Sequence, residues 1–354
     1  MESTVVMRHL RRRTGLSALV WLGFLVSAVF LVYFFRGVSW DGLARAFRDA
    51  DYIFLIPTLA INLGTYPIRT YRWYFLLPRT PGSTFRNRFS ATVIGFMATS
   101  IFPLRAGEVI RAATYSLKTG TPVGTSLASI ALERLLDLII VLCGLGICLV
   151  YLPAQAAGEG SAYIDAAKKA GVILGAIVVA IVLFLMLLKV RGKWALGPAR
   201  WAIGLMPQAL AVKLNQLLDS VVAGLVIVTG LGEVLWLLLL SVVHWAVAVA
   251  GIWVCARAFQ MPISPIGALL LFVFTCLSVL LPQAPGFIGV FQVAAKASLT
   301  LLGQPSSQAE GFALVYWALC IVPITLVGFA ALSLEGLSLD QVRTARDQTQ
   351  EPAR

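Results

Sequence analysis

FPLRAGEVIRA, residues 102–112, places three charged side chains between two strongly apolar stretches. The preceding stretch, FSATVIGFMATSIF (89–102), has only about 14 residues and covers roughly 21 Å as a helix, which is short of a bilayer core of about 30 Å. Pro103 is predicted to end this half-helix, and Gly107 is predicted to give the turn its freedom. The pattern therefore predicts a broken helix that enters the membrane and returns, that is, a re-entrant hairpin.

The composition of the chain places that hairpin in a membrane protein. Of its 354 residues, 59% are hydrophobic and only 12% are charged, and the mean hydropathy is +0.87. Repeated apolar runs of about 20 residues are the length that spans a bilayer core. We expect an all-α polytopic membrane protein with about six full spans plus two re-entrant broken-helix hairpins, or eight spans if the hairpins cross. The short alternating segments of a β-barrel are absent from the sequence.

The domain organisation is expected to be simple. Residues 1–335 are predicted to form a single transmembrane domain, and 336–354 a short cytoplasmic tail. Within the domain, one repeat is expected at about 52–152 and a second at about 233–333. A cytoplasmic amphipathic segment is expected at about 200–230.

The distribution of basic residues predicts the orientation. The segment RHLRRR (8–13) precedes an uncleaved first span at about 16–35, and VRTAR (342–346) follows the last span. By the positive-inside rule, both termini are expected in the cytoplasm and the protein in the inner (plasma) membrane. The net charge of +12 is explained in the same way, so no nucleic-acid partner is expected. The basic and aromatic segment RTYRWYFLLPR (69–79) is predicted to be an interfacial anchor.

A second break resembles the first. LLPQAPGFIGVFQVAA (280–295) shares the pattern P-x-x-x-G with SIFPLRAGEVIRAA (100–113), and each lies between an apolar run and a full span. On the predicted topology one hairpin enters from the cytoplasm and the other from outside, which is typical of inverted repeats in transporters. The alternative is that Pro and Gly only kink two long helices.

Charged residues concentrate at the first break and in the span that follows it. If unpaired near the bilayer centre, six charges would cost on the order of 15–20 kcal/mol, so they are expected to pair, to face water, or both. Three cations and three anions can neutralise one another, and Arg134 is expected to pair with Asp137. A purely structural ion-pair network and a binding site for a charged substrate both remain open. The candidate residues are Arg105, Glu108, Arg111, Glu133, Arg134 and Asp137.

The second break offers weaker candidates, namely Gln283 and Gln292, while Lys296 is expected to snorkel. Gly107 and Gly286 are expected to let the backbone approach a ligand, and the half-helices that follow them would present positive ends to an anionic group such as phosphate. No catalytic residue, metal or cofactor is expected, because the sequence has no CxxC pair and no Cys/His cluster. His244 is expected to be packed or hydrogen-bonded within an apolar helix.

Four segments together resemble the lysylphosphatidylglycerol synthase transmembrane-region family, whose members are flippase-like: RTYRWYFLL (69–77), PLRAGEVIRA (103–112), ERLLDL (133–138) and PGFIGVFQ (285–292). The resemblance implies a membrane protein that moves phospholipids or related amphiphiles between leaflets. Members that make aminoacyl-lipids carry a further soluble transferase domain, which this chain is expected to lack. Many members have Glu where this chain has Gln292, and Arg where it has Trp317.

The expected function is therefore that of a flippase-like protein whose partner is a membrane phospholipid or another amphiphilic lipid. In this hypothesis Arg105 and Arg111 hold the phosphate, and Glu108, Glu133 and Asp137 balance the arginines or bind a cationic headgroup. Two alternatives remain open: an integral-membrane transferase that uses a lipid-linked donor, and a non-catalytic membrane subunit of a lipid or polysaccharide synthase. Homo-oligomerisation and association with a lipid-synthesis enzyme also remain open.

Overall fold

The structure is a computed structural model, and every regular element in its described part is helical. This confirms the predicted helical class. Arg105 and Gln283, the tail after 336 and about half of the 200–230 segment lie outside the described residues. The described residues are 21–36, 38–80, 82–103, 106–155, 169–176, 179–180, 183, 193–208, 211–212, 214–215, 218–219, 230–279 and 284–336.

Eleven helices are labelled here in chain order, within the described ranges. They are α1 (Trp21–Phe35), α2 (Trp40–Arg48), α3 (Leu55–Tyr74), α4 (Phe85–Ile101), α5 (Ala106–Thr119), α6 (Val123–Gln155), α7 (Lys193–Gly204), α8 (Leu231–Ala258), α9 (Pro265–Ser278), α10 (Val290–Leu301) and α11 (Ser306–Leu334). Single 3₁₀ turns precede α3 (Tyr52–Phe54) and α10 (Pro285–Phe287).

Three described helices are long and apolar enough to cross a membrane, at Val123–Tyr151, Gly232–Ala258 and Ser306–Leu334. A fourth candidate is the pair α1 and α2, which are bent by 84° relative to each other. The outer surface of α8 shows why such helices need lipid. Leu235, Leu239 and Val242 follow each other at i, i+4 and i+7 and are about half exposed, so they form an apolar stripe of the kind that lipid covers.

Contacts between the ends of different helices define two opposite ends of the bundle. At the end that we call the Glu335 end, Lys118 lies 2.5 Å and Arg86 lies 3.7 Å from the Glu335 carboxylate, which joins the end of α5, the start of α4 and the end of α11. At the other end, called the Ser307 end, a Cβ built on Gly42 of α2 would lie 3.1 Å from Ser307 at the start of α11. There the Asp51 amide also donates to the Ala258 carbonyl, which joins the start of α3 to the end of α8.

Two pairs of short helices fold back on themselves as hairpins that open at these opposite ends. The hairpin α4–α5 opens at the Glu335 end, and α9–α10 opens at the Ser307 end. The four helices have 17, 14, 14 and 12 residues, so they reach roughly 18–26 Å. The two breaks meet inside the bundle, where a Cβ built on Gly286 would lie 3.5 Å from the Ser100 carbonyl oxygen.

In the first hairpin, Gly107 lets α4 and α5 pack closely against each other and does not form the turn between them. A Cβ on Gly107 would lie under 3.0 Å from both Thr99 Oγ1 and the Gly95 carbonyl oxygen. A continuous kinked helix would separate residues 95 and 107 by about 18 Å, so the kinked-helix alternative is wrong here. The expectation that Gly107 gives the turn its freedom is also wrong, because Gly107 lies inside α5, where its missing side chain lets two backbones touch.

The second break is held by side chains from its surroundings. The Ser27 hydroxyl accepts from the Ala284 amide at 2.8 Å, and the Trp317 indole donates to the Gly286 carbonyl at 2.7 Å. Gly286 and Gly289 have φ of 70° and 89°, conformations that glycine adopts without strain. Gln292 accepts from the Gly289 amide at 2.7 Å. These three backbone groups in the described part of the break therefore have protein partners, as the interior of a membrane protein requires.

Candidate functional site

A buried carboxylate lies at the centre of the candidate site. Glu133, on α6, is fully buried and lies within 3.4 Å of four guanidinium groups. These belong to Arg69 at 3.0 Å, Arg72 at 3.4 Å, Arg111 at 3.0 Å and Arg134 at 2.8 Å. The arrangement gathers charges from α3, α5 and α6 around one acidic group.

A second carboxylate lies one helical turn further along α6. Asp137 is 2.7 Å from Arg72 and 3.3 Å from Arg134, at the i, i+3 spacing predicted for this pair. The Trp245 indole of α8 also donates to it at 2.9 Å. Because Glu133 and Asp137 are spaced i, i+4, both face the arginines of α3. We call these two carboxylates, the four arginines and Glu108 the ionic network.

Aromatic rings cover the arginines of the ionic network on several sides. The Arg111 guanidinium lies 3.9 Å from the centre of the Trp73 ring, and that of Arg69 lies 4.9 Å from Phe96 and 5.4 Å from Trp245. Such stacking satisfies the faces of the guanidinium groups and excludes water from them. The ionic network is therefore largely dry, with aromatic walls.

Neutral polar groups extend the ionic network towards α8. The His244 imidazole lies with Nε2 2.9 Å from an Arg69 nitrogen, so this nitrogen acts as the acceptor and the ring is neutral. Arg72 donates to the Ser241 hydroxyl at 2.9 Å. The expectation that His244 is packed or hydrogen-bonded is confirmed.

One edge of the ionic network is accessible. The side chain of Arg134 is 35% exposed and that of Glu108, on the first turn of α5, is 39% exposed. The two are 3.8 Å apart at the closest nitrogen and oxygen, which is too long for a hydrogen bond. A ligand that approaches the ionic network can thus reach Arg134 first.

The structure brings most of the predicted first-half residues together. Glu108, Arg111, Glu133, Arg134 and Asp137 all lie in the ionic network. The other predicted residues within the described ranges lie outside it and contact the helix breaks, as Gly107, Gly286 and Gln292 do.

Two expectations about charge are wrong. The arginines of RTYRWYFLLPR were expected at the membrane interface. Arg79 is exposed at the Glu335 end, but Arg69 and Arg72 are buried and bind Glu133 and Asp137. As a result, the expected balance of three cations and three anions does not hold. Among described residues, four arginines face three carboxylates.

The expectation that Lys296 snorkels is also wrong. Its ammonium group lies 2.6 Å from the carboxylate of Glu310, which is 1% exposed and accepts a further hydrogen bond from Ser306. The pair joins α10 to α11 near the Ser307 end. The second half of the chain thus has an ion pair of its own, at positions other than Gln292 and Trp317.

The sequence did contain a signal for the missed arginines. Arg69 and Arg72 are spaced i, i+3 on a helix, and Glu133 and Asp137 are spaced i, i+4 on another. Two basic and two acidic groups with matching spacings in separate apolar segments are typical of helices that pair across a membrane core. The mixture of Arg with Tyr and Trp concealed this signal, because the same composition is typical of interfaces.

The fold and the site together define an integral membrane protein whose helices enclose a buried, partly accessible ionic network. The chain belongs to the family described as lysylphosphatidylglycerol synthase TM region, whose profile matches residues 20–328. The resemblance drawn from the four sequence segments is thereby confirmed.

A curated relative supports this assignment. A UPF0104 membrane protein of Methanothermobacter thermautotrophicus is 24% identical over 323 residues, which cover 87% of this chain and 92% of the relative. No solved structure matches the chain.

Proposed function

We propose that this protein moves a phospholipid or a related amphiphile between leaflets, through a polar cavity between the two broken helices. One observation carries the proposal: a buried ionic network is accessible at Arg134 and Glu108, beside the place where the two breaks meet. A bracing network gains nothing from an open edge, whereas a headgroup site needs one. The acyl tails would remain in the bilayer while the headgroup crosses.

The hairpin geometry supports this mechanism. Both hairpins are shorter than a bilayer core of about 30 Å and open at opposite ends of the bundle. Re-entrant hairpins in inverted repeats, in which a substrate binds near the midplane at the repeat interface, would have this arrangement. Each hairpin then closes one side of the cavity, so that the site faces the two leaflets in turn.

The site residues divide into two groups in this proposal. Glu108 and Arg134, which are accessible, contact the headgroup, and Arg105 is proposed to join them, while Glu133 and Asp137 hold Arg134 in place and the buried Arg111 pairs with Glu133. Gly286 of the second break lies on the opposite wall of the cavity, and the buried Gln292 supports that wall by accepting from the Gly289 amide.

In this proposal the protein lies in the inner membrane with both termini in the cytoplasm. The Glu335 end supports this orientation because basic residues concentrate there, among them Arg79, Arg86, Arg88 and Lys118. At the Ser307 end, α2 and its flanks mix acidic and basic residues. The positive-inside rule assigns the basic end to the cytoplasm.

Transfer of fluorescent phospholipids between the leaflets of proteoliposomes tests the proposal. The parent protein should accelerate transfer, and Arg134→Ala should slow it at least about tenfold, since a charge-assisted contact contributes more than 1.4 kcal/mol. Arg79→Ala is the matched control, because Arg79 is 64% exposed and pairs with Glu233 away from the cavity. The control should transfer lipid at the parental rate.

Two results would contradict the proposal. The first is normal transfer by Arg134→Ala. The second is a parent protein that binds lipid but transfers none, which would instead support the transferase or the non-catalytic subunit. A melting curve recorded for each variant separates loss of the site from loss of the fold.

A further inference from the structure

The helix α11 is tied by ion pairs to both hairpins, one at each of its ends. Near the Ser307 end, the buried carboxylate of Glu310 lies 2.6 Å from the ammonium group of Lys296 on α10. At the opposite end, the Glu335 carboxylate lies 2.5 Å from Lys118 of α5 and 3.7 Å from Arg86 of α4. We call these two sets of contacts the Glu310 latch and the Glu335 latch. One helix therefore holds both hairpins closed at their open ends.

The half of α11 that precedes Pro323 packs against the second hairpin and its break. The Tyr316 ring is stacked on the Phe291 ring of α10, with 6.2 Å between the ring centres. The Trp317 indole donates to the Gly286 carbonyl at 2.7 Å. These contacts continue the Glu310 latch along α10 and join this half of α11 to the second hairpin.

The half of α11 that follows Pro323 packs against the first hairpin. A Cβ built on Gly328 would lie under 3.0 Å from the Met97 side chain and from the Val93 carbonyl oxygen, both of α4. The backbones of α11 and α4 therefore touch at this point. Leu332, one turn further on, is buried in the same cluster as Met97. This half of α11 thus belongs to the first hairpin, down to the Glu335 latch.

Pro323 lies inside α11, midway between Glu310 and Glu335. Proline has no N–H group, so the carbonyl of Leu319 loses its helical hydrogen bond, and the helix bends most readily at this point. A stiff helix of 29 residues would act as a lever, because displacing one end would displace the other. A helix that bends at its centre lets its two halves move separately.

We propose that Pro323 is a hinge that lets either latch open while the other latch stays closed. When the Glu335 latch opens, the end of α11 swings away from α4 and α5. The bend at Pro323 absorbs this displacement before it reaches Trp317 and the second break. The inference adds a moving part to the proposed function, because a site that faces the two leaflets in turn must not be open at both ends together.

Hydrogen–deuterium exchange of the protein in nanodiscs tests whether the two ends open separately. Glu335→Lys replaces two attractions by two repulsions. It should raise the exchange rate at the end of α5 at least about fivefold and leave the end of α10 at the parental rate. Lys296→Gln combined with Glu310→Gln removes both charges of the other latch and should give the reverse pattern. A rise at both ends in either variant, or a rise at neither end, would overturn the inference.

Substitutions of Pro323 test the hinge itself. Pro323→Ala restores the missing N–H group with the best helix former, so α11 stiffens. In this background, Glu335→Lys should raise the exchange rate at both ends. Pro323→Gly also restores the N–H group but keeps the helix easy to bend, so Glu335→Lys should then affect the end of α5 alone. If the alanine and glycine backgrounds give the same pattern, position 323 is not a hinge.

Two controls separate opening of a latch from loss of the fold. Arg79→Gln breaks the Arg79–Glu233 pair at the same end of the bundle, away from α11, and should leave the exchange rate unchanged at both ends. Glu335→Gln is a milder change than Glu335→Lys and should give the same one-sided pattern with a smaller rise. Uniform exchange along the chain in Glu335→Lys would show unfolding, and the milder variant then decides, its one-sided rise supporting the hinge and its two-sided rise overturning it.

The exchange pattern does not depend on lipid transfer, so the hinge and the proposed function can fail separately. A protein that transfers no lipid but opens at one end at a time would contradict the proposed function and support the hinge. A protein that transfers lipid while both ends of α11 respond together would support the function and overturn the hinge.

Discussion

Replacing Glu133 by glutamine should destabilise the protein more than any other single loss of charge in the ionic network. The substitution keeps the size of the side chain and one carbonyl oxygen, so packing is preserved and only the charge is removed. Glu133 lies 2.8–3.4 Å from four guanidinium groups. After the substitution these groups would repel one another with Asp137 as their remaining buried anion.

The magnitude follows from the distances and the burial. Two unit charges 3 Å apart attract each other by about 5 kcal/mol at an effective dielectric constant of roughly 20, but desolvation offsets most of that attraction. Removing one partner of a buried ion pair typically costs about 3–5 kcal/mol. At roughly 2 °C per kcal/mol, the melting temperature should fall by about 6–10 °C.

A thermal-unfolding assay in detergent, with a double variant and a surface control, tests this prediction. Glu133→Gln combined with Arg111→Gln removes one charge of each sign and should recover part of the lost stability, because less positive charge is left unpaired. Glu335→Gln breaks an ion pair at the end of the bundle and should cost less than about 1 kcal/mol. If Glu133→Gln melts within about 1 °C of the parent, the carboxylate is not the buried anion that holds the network together.

Three further outcomes are expected. Gly107→Ala should prevent formation of the first hairpin, because the new Cβ would overlap Gly95 and Thr99. The variant should elute as aggregated protein on size-exclusion chromatography. Gly124 has open space around it, so Gly124→Ala should behave as the parent. The hydrogen bond from Lys118 holds the pKa of Glu335 below its ordinary value of 4.5. The Glu335 carboxylate therefore stabilises the fold above pH 4.5, and this stabilisation is lost as the pH falls through the folded-state pKa. The decrease in melting temperature on acidification should be smaller in Glu335→Gln than in the parent. A cysteine that replaces Arg79 should react with a membrane-impermeant thiol reagent only after the membrane is permeabilised, and labelling from outside would reverse the proposed topology.

Much of the architecture could be predicted because it depends on local pattern. The length of an apolar run fixes whether a helix can cross a bilayer, and proline fixes where a helix ends. The first half-helix does end at Ile101, just before Pro103. The similarity of the two P-x-x-x-G segments also pointed to two hairpins, which the structure brings into contact at Ser100 and Gly286.

The site could be predicted only in part because it depends on contacts distant in the sequence. Glu133, Arg134 and Asp137 were found because charges inside an apolar run are costly wherever they lie. Arg69 lies 64 residues before Glu133 in the chain, and nothing in its own segment shows that α3 turns it inward. The role of Gly107 was missed for the same reason, since the sequence does not distinguish a glycine that permits a turn from one that permits close contact between helices.

A structure of the protein in a nanodisc that contains phosphatidylglycerol, at a resolution that shows lipid headgroups, would test the central claim most directly. We expect density for a headgroup at the accessible edge of the ionic network, with phosphate oxygens at about 2.7–3.0 Å from the Arg134 guanidinium and the acyl chains extending into the bilayer between the hairpins. Lipid headgroups ordered only at the two membrane surfaces, around an ionic network that is closed and unoccupied in every conformation, would contradict it.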